Sequence, residues 1–510
     1  MIRRLVSTLL VTASLAGCTV GPDYHPAEVP VPSAFVGPQP AGAAIDPAHW
    51  WSAFGDAELD RLVTLALRDN PDVAVAASRV RQARVQEIVA RANGKPVVNA
   101  DANVTHVEFS KNAGFASLAR LFGGSSGGGT AGGGSTGGGS TGGGSTGSSG
   151  IALPGSGITT YAVGFDASWE LDLFGGARRG VEGAVARTEA AEWTRRDAAV
   201  TLAAEVAQAY FALRLDQAQL AIVDQELVRQ RRIFQIAEHV SAVGLVPQAD
   251  TTQQRGAITA TEARRAPIAA DIEVRMHALA ILLGQPPAAF RAELAPIRPL
   301  AAAPAIPAGL PSDLLRRRPD IRAAERNLAA ATADIGVAVA DLYPKFSLTG
   351  MAQLISSALG NLFSGDSLQL TGTGAAMFPI LDWGRRHAIV RAREEDREQA
   401  YQQYRSTVLQ AFRDVEDPLS QIDAERVRRE ALVRAVGDAE VTASAREAQY
   451  RTGFIAQDPL LSAQTQVLQA REQLASSEAQ LRQMTAALFK ALGGGWEAAP
   501  AVDPATPKAR

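Results

Sequence analysis

This sequence predicts a mainly α-helical fold with four membrane-type β-strands, in which one structural unit is written twice. Three observations carry the prediction. Landmarks recur at fixed offsets, four segments alternate apolar and polar residues over membrane-spanning lengths, and two proline-poor heptad stretches far outrun a globular helix.

The doubling is read from the landmarks. Asn70-Pro71-Asp72 opens a helical stretch and Pro96 lies 24 residues after Asp72; Arg318-Pro319-Asp320 opens another and Pro344 lies 24 residues after Asp320, an offset of 248 throughout. From Leu171-Asp172 to Leu381-Asp382 the offset is 210, and from Gly244 to Gly453 it is 209. The drop places about 38 extra residues in the first copy, where the Gly/Ser/Thr run Gly123 to Gly150 lies. Such a run buries too little apolar surface to order itself and reads as a floppy outer loop.

Each unit reads as helix, strand, turn, strand, very long helix, turn, helix. The first covers 61–295, with a hairpin over 96–174, a long helix over 176–243 and a return helix over 248–284. The second covers 312–492, with a hairpin over 344–383, a long helix over 384–451 and a return helix over 458–492. Residues 18–60 read as an extended strap, 296–311 as a proline-rich linker and 493–510 as a tail.

The strands follow from period-two patterning. Tyr161, Val163, Phe165, Ala167, Trp169, Leu171 and Leu173 alternate with Ala162, Gly164, Asp166, Ser168, Glu170 and Asp172. Val98 to Thr105, Phe346 to Leu354 and Leu368 to Phe378 alternate in the same way. Strands of some 10 residues with one apolar face match transmembrane β-strands. A soluble sheet with one wet face has the same alternation; strand length, the N-terminal signal and the long helices select the membrane reading. Four strands cannot close a barrel, and an open edge in lipid costs several kcal/mol per unpaired group. Other copies must complete it. Two copies give eight strands and a filled bore, whereas three give 12 and room for a channel, which is needed only if something passes through.

Between Gly176 and Val243 no proline intervenes, and Leu202, Val206, Ala209, Leu213, Leu220, Val223, Leu227 and Phe234 form a heptad seam broken by Asp216 and Gln230. From Gly384 to Arg451 a second such helix runs, interrupted only at Pro418. Some 65 residues at about 1.5 Å each span roughly 100 Å, more than a compact domain or a bilayer core holds. The returning helix carries a thinner stripe, Val467, Leu474, Leu481 and Leu488, with Gln464, Arg471 and Glu478 at companion positions, as in a wall wet on one side.

The N-terminus reads as a processing signal: Arg3 and Arg4, a short apolar stretch Leu5 to Leu15, then the lipobox Leu15-Ala16-Gly17-Cys18, with residues 1–17 removed and Cys18 the lipid anchor. No later segment holds some 18 consecutive apolar residues, so no transmembrane helix is expected. Of 510 residues, 46% are apolar and 20% charged, and the net charge of −3 argues against nucleic acid. Cys18 is the only cysteine and the six histidines are scattered, so neither a metal site nor a cofactor site is expected. Gly123-Gly124-Ser125-Ser126-Gly127 and Gly365-Asp366-Ser367-Leu368 resemble hydrolase strings without their strand-to-helix context, and no catalytic residues are assigned.

The chain resembles the outer-membrane efflux factor family, the TolC-like ducts of tripartite pumps, in its lipoprotein branch. The markers are Cys18-Thr19-Val20-Gly21-Pro22-Asp23-Tyr24, Trp50-Trp51, Phe54-Gly55-Asp56, Asn70-Pro71-Asp72, Trp169 to Gly175, Arg318-Pro319-Asp320, Tyr450-Arg451-Thr452-Gly453 and Ala491 to Trp496. The resemblance implies a homotrimer in outer-membrane lipid, a 12-stranded β-barrel continued by a 12-helix periplasmic α-barrel, and an equatorial belt. It implies a periplasmic adaptor (membrane fusion) protein and an inner-membrane resistance-nodulation-division transporter as partners. It also implies a closed periplasmic tip, where the helix turns at Gly244 and Gly453 pinch inward, with Tyr450, Arg451, Asp250 and Asp458 as gate residues. This chain departs from the pattern with Ser462 at the usual later aspartate and with Pro459. Asp250 and Asp458 also read as simple helix caps. The expected function is a passive exit duct for drugs or other small molecules; a duct for polypeptide secretion and a non-conducting periplasmic lipoprotein are the alternatives.

Overall fold

The computed structural model describes residues 19–27, 29–30, 35, 46–108, 157–242, 248–298, 302–305 and 317–502. Cys18, residues 1–17, the Gly123 to Gly150 run, Gly244 and parts of the strap, linker and tail lie outside the described residues. The chain divides into two compact units, a strand unit built on Arg91–Arg178 and Ala340–Gly384 and a helical unit built on Val20–Ala90, Arg179–Val339 and Arg385–Arg510.

The strand unit is one antiparallel sheet of β1 (Val97–Glu108), β2 (Gly157–Leu171), β3 (Lys345–Ser356) and β4 (Leu368–Met377), in the order β1-β2-β3-β4. Register follows the alternation, because residues directly opposite share a face. Ala100 faces Phe165, Phe165 faces Ala352 and Ala352 faces Leu370, which makes one face apolar. Asn99 faces Asp166 on the other, with Asn99 Nδ2 donating to Asp166 Oδ2 at 3.1 Å, and Gln353 Nε2 donates to Gln369 Oε1 at 3.0 Å. Val97 pairs with Ser168, and the residues 248 and 209 positions further on, Lys345 and Met377, pair with each other as well. The Leu-Asp dipeptides, 210 apart, are therefore one residue out of phase with their strands and do not occupy matching places. The Gly365–Ser367 turn joins β3 to β4; there Ser367 Oγ donates to Asn361 O at 2.7 Å, a turn-closing role.

The helical unit holds α1 (Ala57–Asp69), α2 (Pro71–Asn93), α3 (Gly176–Ala242), α4 (Gln248–Leu282), α5 (Pro319–Ala340), α6 (Arg385–Arg451) and α7 (Gln457–Ala491). Asp56 caps α1 by accepting from the backbone N–H of Glu58 and Leu59. Asn70 caps α2 in the same way, accepting from Asp72 and Val73, and Pro71 suits the first helical position because its missing N–H has no partner there anyway. The seam of α3 is buried at Leu202, Val206, Leu213, Val223 and Leu227. Gln230, which interrupts it, is buried too and donates to Glu226 Oε1 at 2.9 Å. One window within Gly176–His239 reaches a mean hydropathy of 1.2, and 61% of that window is buried inside the chain, as in a core helix.

Pro418 does not interrupt α6, which runs unbroken from Arg385 to Arg451. A proline inside a helix costs roughly 3 kcal/mol. Here Val415, Leu419 and Ile422 on either side are buried together with Leu488 and Ala491, and that packing offsets the loss. The main core gathers Trp50, Trp51, Phe54, Leu59, Leu62, Tyr210, Phe211, Leu279, Leu283 and Phe489.

Candidate functional site

Three places in the chain gather polar side chains into defined arrangements. The first is the polar sheet face already described, a wettable surface of Asn, Asp, Ser, Thr and Gln. Its opposite face exposes Val98, Val104, Phe165, Leu348 and Leu370. A sheet greasy on one side and hydrophilic on the other divides lipid from water.

The second is the turn from α6 to α7. Gly453 takes φ 74°, its N–H bonds Tyr450 O at 3.0 Å, and the Phe454 N–H bonds Gln449 O at 2.9 Å. This paired closure satisfies the last carbonyls of α6 and requires the left-handed residue that glycine supplies. The N-cap of α7 is Ala456, which makes no side-chain bond. Asp458 is therefore not the cap. It sits in the first turn, where Pro459 also fits, and it accepts from Gln253 Nε2. Asp250 sits in the first turn of α4. Burial, and secondly the Asp250 charge, push the pKa of the Tyr450 hydroxyl above its usual value. Arg451 pairs within its own helix, Nη2 to Glu447 Oε1 at 2.6 Å.

Sequence reasoning missed the buried amides beneath this turn. Gln457 Nε2 donates to Gln254 Oε1 at 2.6 Å, and Gln254 and Gln457 are at most 1% exposed. Their separation of 203 residues hides the pair from any local pattern; the polar residues Gln464, Arg471 and Glu478 on the α7 stripe are the sequence signal of a polar seam.

The third is a hub at the start of α5. The Arg318 guanidinium bonds Asp320 through Nε at 3.0 Å and Nη2 at 2.7 Å, Asp414 at 3.1 Å and Ala491 O at 2.8 Å. Burial opposes its charge, but the two carboxylates outweigh burial and hold its pKa above the ordinary arginine value. The matching landmark Asn70 donates to Leu282 O at 2.9 Å, so each landmark ties down the end of a return helix. Gly284 and Gly493, at φ 70° and 72°, close those ends; a Cβ on Gly284 would lie 2.4 Å from Asp69 O.

Asp197 lines the cleft beside this hub with Asp320, Arg318 and Lys490. Burial, then the Asp320 charge, push its carboxyl above the usual aspartate value against Arg318 and Lys490. A carboxyl with a higher pKa folded than unfolded stabilises the fold at acid pH and loses that contribution as pH rises through the folded value. Asp197→Asn is therefore expected to melt like the parent below about pH 4, the ordinary aspartate range, and at a higher temperature at pH 7. Thermal melts at both pH values check this; a gap that persists in acid would assign the effect to something other than charge.

Among the described residues no group of three or more His, Cys, Asp or Glu side chains is placed to hold a metal. Residues 62–285 and 310–494 match the family model described as outer membrane efflux protein. The chain is 30% identical over 494 residues to outer membrane protein OprJ of Pseudomonas aeruginosa, covering 96% of each chain. It is 27% identical over 508 residues to a probable outer membrane lipoprotein, SilC of Salmonella typhimurium, covering 96% of this chain and 98% of that one. Its fold is similar to the solved outer-membrane channel OprN, with a TM-score of 0.81, 30% identity, and coverage of 94% of this chain and all of that one.

Proposed function

The chain belongs to the outer membrane efflux protein family, and from that premise we propose that three copies close one cylinder, four strands from each making a 12-stranded barrel. The protein is the outer-membrane channel component of an efflux pump. In this reading the 12 long and return helices form a periplasmic tunnel, with a periplasmic adaptor and an inner-membrane resistance-nodulation-division transporter as partners. Cys18 carries the lipid anchor, and the two halves, 61–295 and 312–492, are copies of one unit. Conduction is passive, since the transporter supplies the energy. The carrying observation is the four-stranded sheet with one apolar face, one hydrophilic face and two open edges. The test is reconstitution in planar bilayers: a duct gives steady ionic current, whereas a rod or tether gives none. Deletion of the gene is expected to sensitise cells to exported compounds.

The turn at Gly453 forms the closed mouth, with Tyr450, Arg451, Asp250 and Asp458 around it. The bond from Gln253 to Asp458 supports this reading because it ties α4 to α7 at their tips. Removing one such bond is worth about 1 kcal/mol, roughly a fivefold shift between closed and open mouths. Asp458→Ala is expected to raise the open fraction by about that factor, read as single-channel current; unchanged current removes Asp458 from the gate.

A further inference from the structure

The sheet contains a template for the junction it lacks. Moving Val97 by 248 and Ser168 by 209 gives Lys345 and Met377, which are observed partners. β3 thus stands in for β1, and β4 for β2, residue by residue. The middle ladder, β2 to β3, joins the end of the first hairpin to the start of the second. The missing ladder joins the end of a second hairpin, β4, to the start of a first hairpin, β1, on another copy.

The same shifts applied to the middle ladder yield its register. Phe165↔Ala352 becomes Gly374↔Val104, Trp169↔Leu348 becomes Phe378↔Ala100, and Leu171↔Phe346 becomes Ile380↔Val98. These three pairs set apolar against apolar; toward the hairpin end the same shifts give Gly372↔His106 and Leu370↔Glu108. A slip of one residue would put Phe378 opposite Asn99 or Asp101 and mix the two faces. A contact at the strand ends transforms as well. Phe174 stacks on Tyr343 with ring centroids 4.7 Å apart, and its image is Trp383 with Lys95. Trp383 is 91% exposed and held at φ 57°, unusual for a side chain of that size. Lys95 is exposed too.

We infer that a second copy of this chain seats its β1 on β4 in the register Gly374↔Val104, with its Lys95 ammonium over the Trp383 indole. An ammonium on an indole face is a favourable cation–π pair. The inference rests on the reading that copies close a barrel, and it adds which residues meet.

The test is cysteine crosslinking of the full-length lipoprotein in outer membranes, with the parent chain, whose one cysteine is Cys18, as background. Two double variants carry the register: Gly374→Cys with Val104→Cys, and Ala375→Cys with Asn103→Cys. Neighbouring pairs in an antiparallel ladder alternate between Cα spacings of about 5.5 and about 4.5 Å, both within the range a disulfide spans, and testing both covers whichever has the better side-chain geometry. Displaced controls pair Val104→Cys with Gly372→Cys or with Ala376→Cys, and Asn103→Cys with Thr373→Cys or with Met377→Cys. Mild oxidation is expected to link subunits in an in-register variant and in none of the displaced ones. Linking only in a displaced variant overturns the register and leaves the barrel standing. No linking in any variant, while a lysine-reactive crosslinker still traps trimers in the same membranes, overturns this junction alone. Monomers only with the lysine-reactive reagent overturn the assembly reading, and this inference with it.

Discussion

Arg318→Ala is expected to cost about 3–5 kcal/mol, the range for removing one partner of a buried ion pair. Arg318 is 8% exposed, and its guanidinium engages Asp320, Asp414 and the Ala491 carbonyl together. Alanine would leave two carboxylates facing Asp197 across the cleft with Lys490 and Arg413 as the remaining cations, and would leave the end of α7 untied. A loss of that size consumes much of a typical domain's net stability of about 5–15 kcal/mol. The measurement is the melting temperature of the purified protein in detergent, together with its level in the outer membrane. Arg318→Lys is expected to recover only part of the loss, because one ammonium cannot reproduce the planar fork on Asp320 while also reaching Asp414 and Ala491 O. Asn70→Ala gives the internal scale. It removes a cap and one carbonyl bond, about 1–2 kcal/mol, so it should fall well short of Arg318→Ala. Equal losses would refute the ion-pair account.

The second large effect is expected from Trp50→Ala, about 3–5 kcal/mol for a buried aromatic truncated to a methyl group. Trp50 has no exposed surface. Its ring stacks on Phe489 at 5.5 Å and meets Trp51 and Phe54 edge-on at 5.7 and 6.2 Å. Through Phe489 it fastens the N-terminal segment to α7, and Gly494 and Gly495 leave the room it occupies, since a Cβ on either would come within 3.2 Å of the indole. Trp50→Phe is expected to lose less than half as much, because the indole N–H makes no hydrogen bond among the described residues and the phenyl ring keeps most of the packing. Denaturant midpoints of the two variants decide this. A phenylalanine variant as weak as alanine would mean that ring shape, not buried area, sets the cost.

The sequence exposes what is periodic and hides what is distant. Alternation from Tyr161 to Leu171 located β2 because lipid on one face and water on the other enforce a period of two. The heptads of α3 were legible for the corresponding reason at a period of 3.5. Pro418 misled because a local penalty was read without the packing of Val415, Leu419 and Ile422 that offsets it. Asp458 was readable as a cap from composition, yet the helix starts one residue before it and its partner is Gln253 on another helix. Arg318 was visible as a landmark, but its role was not, since its partners Asp414 and Ala491 lie 96 and 173 residues away. The Gln254–Gln457 pair left no periodic trace for the same reason.

The free borders of β1 and β4 also bear on how such a channel is made. Three separate subunits in lipid would leave six borders bare, joining two of them still leaves four, and adding the third closes all four at once, so the last step seals two seams where the first seals one. Biogenesis on this scheme is cooperative in subunit number. It should fall steeply, not in proportion, when supply of the chain is reduced, and a co-expressed chain able to join through only one border should poison the wild type at low dose.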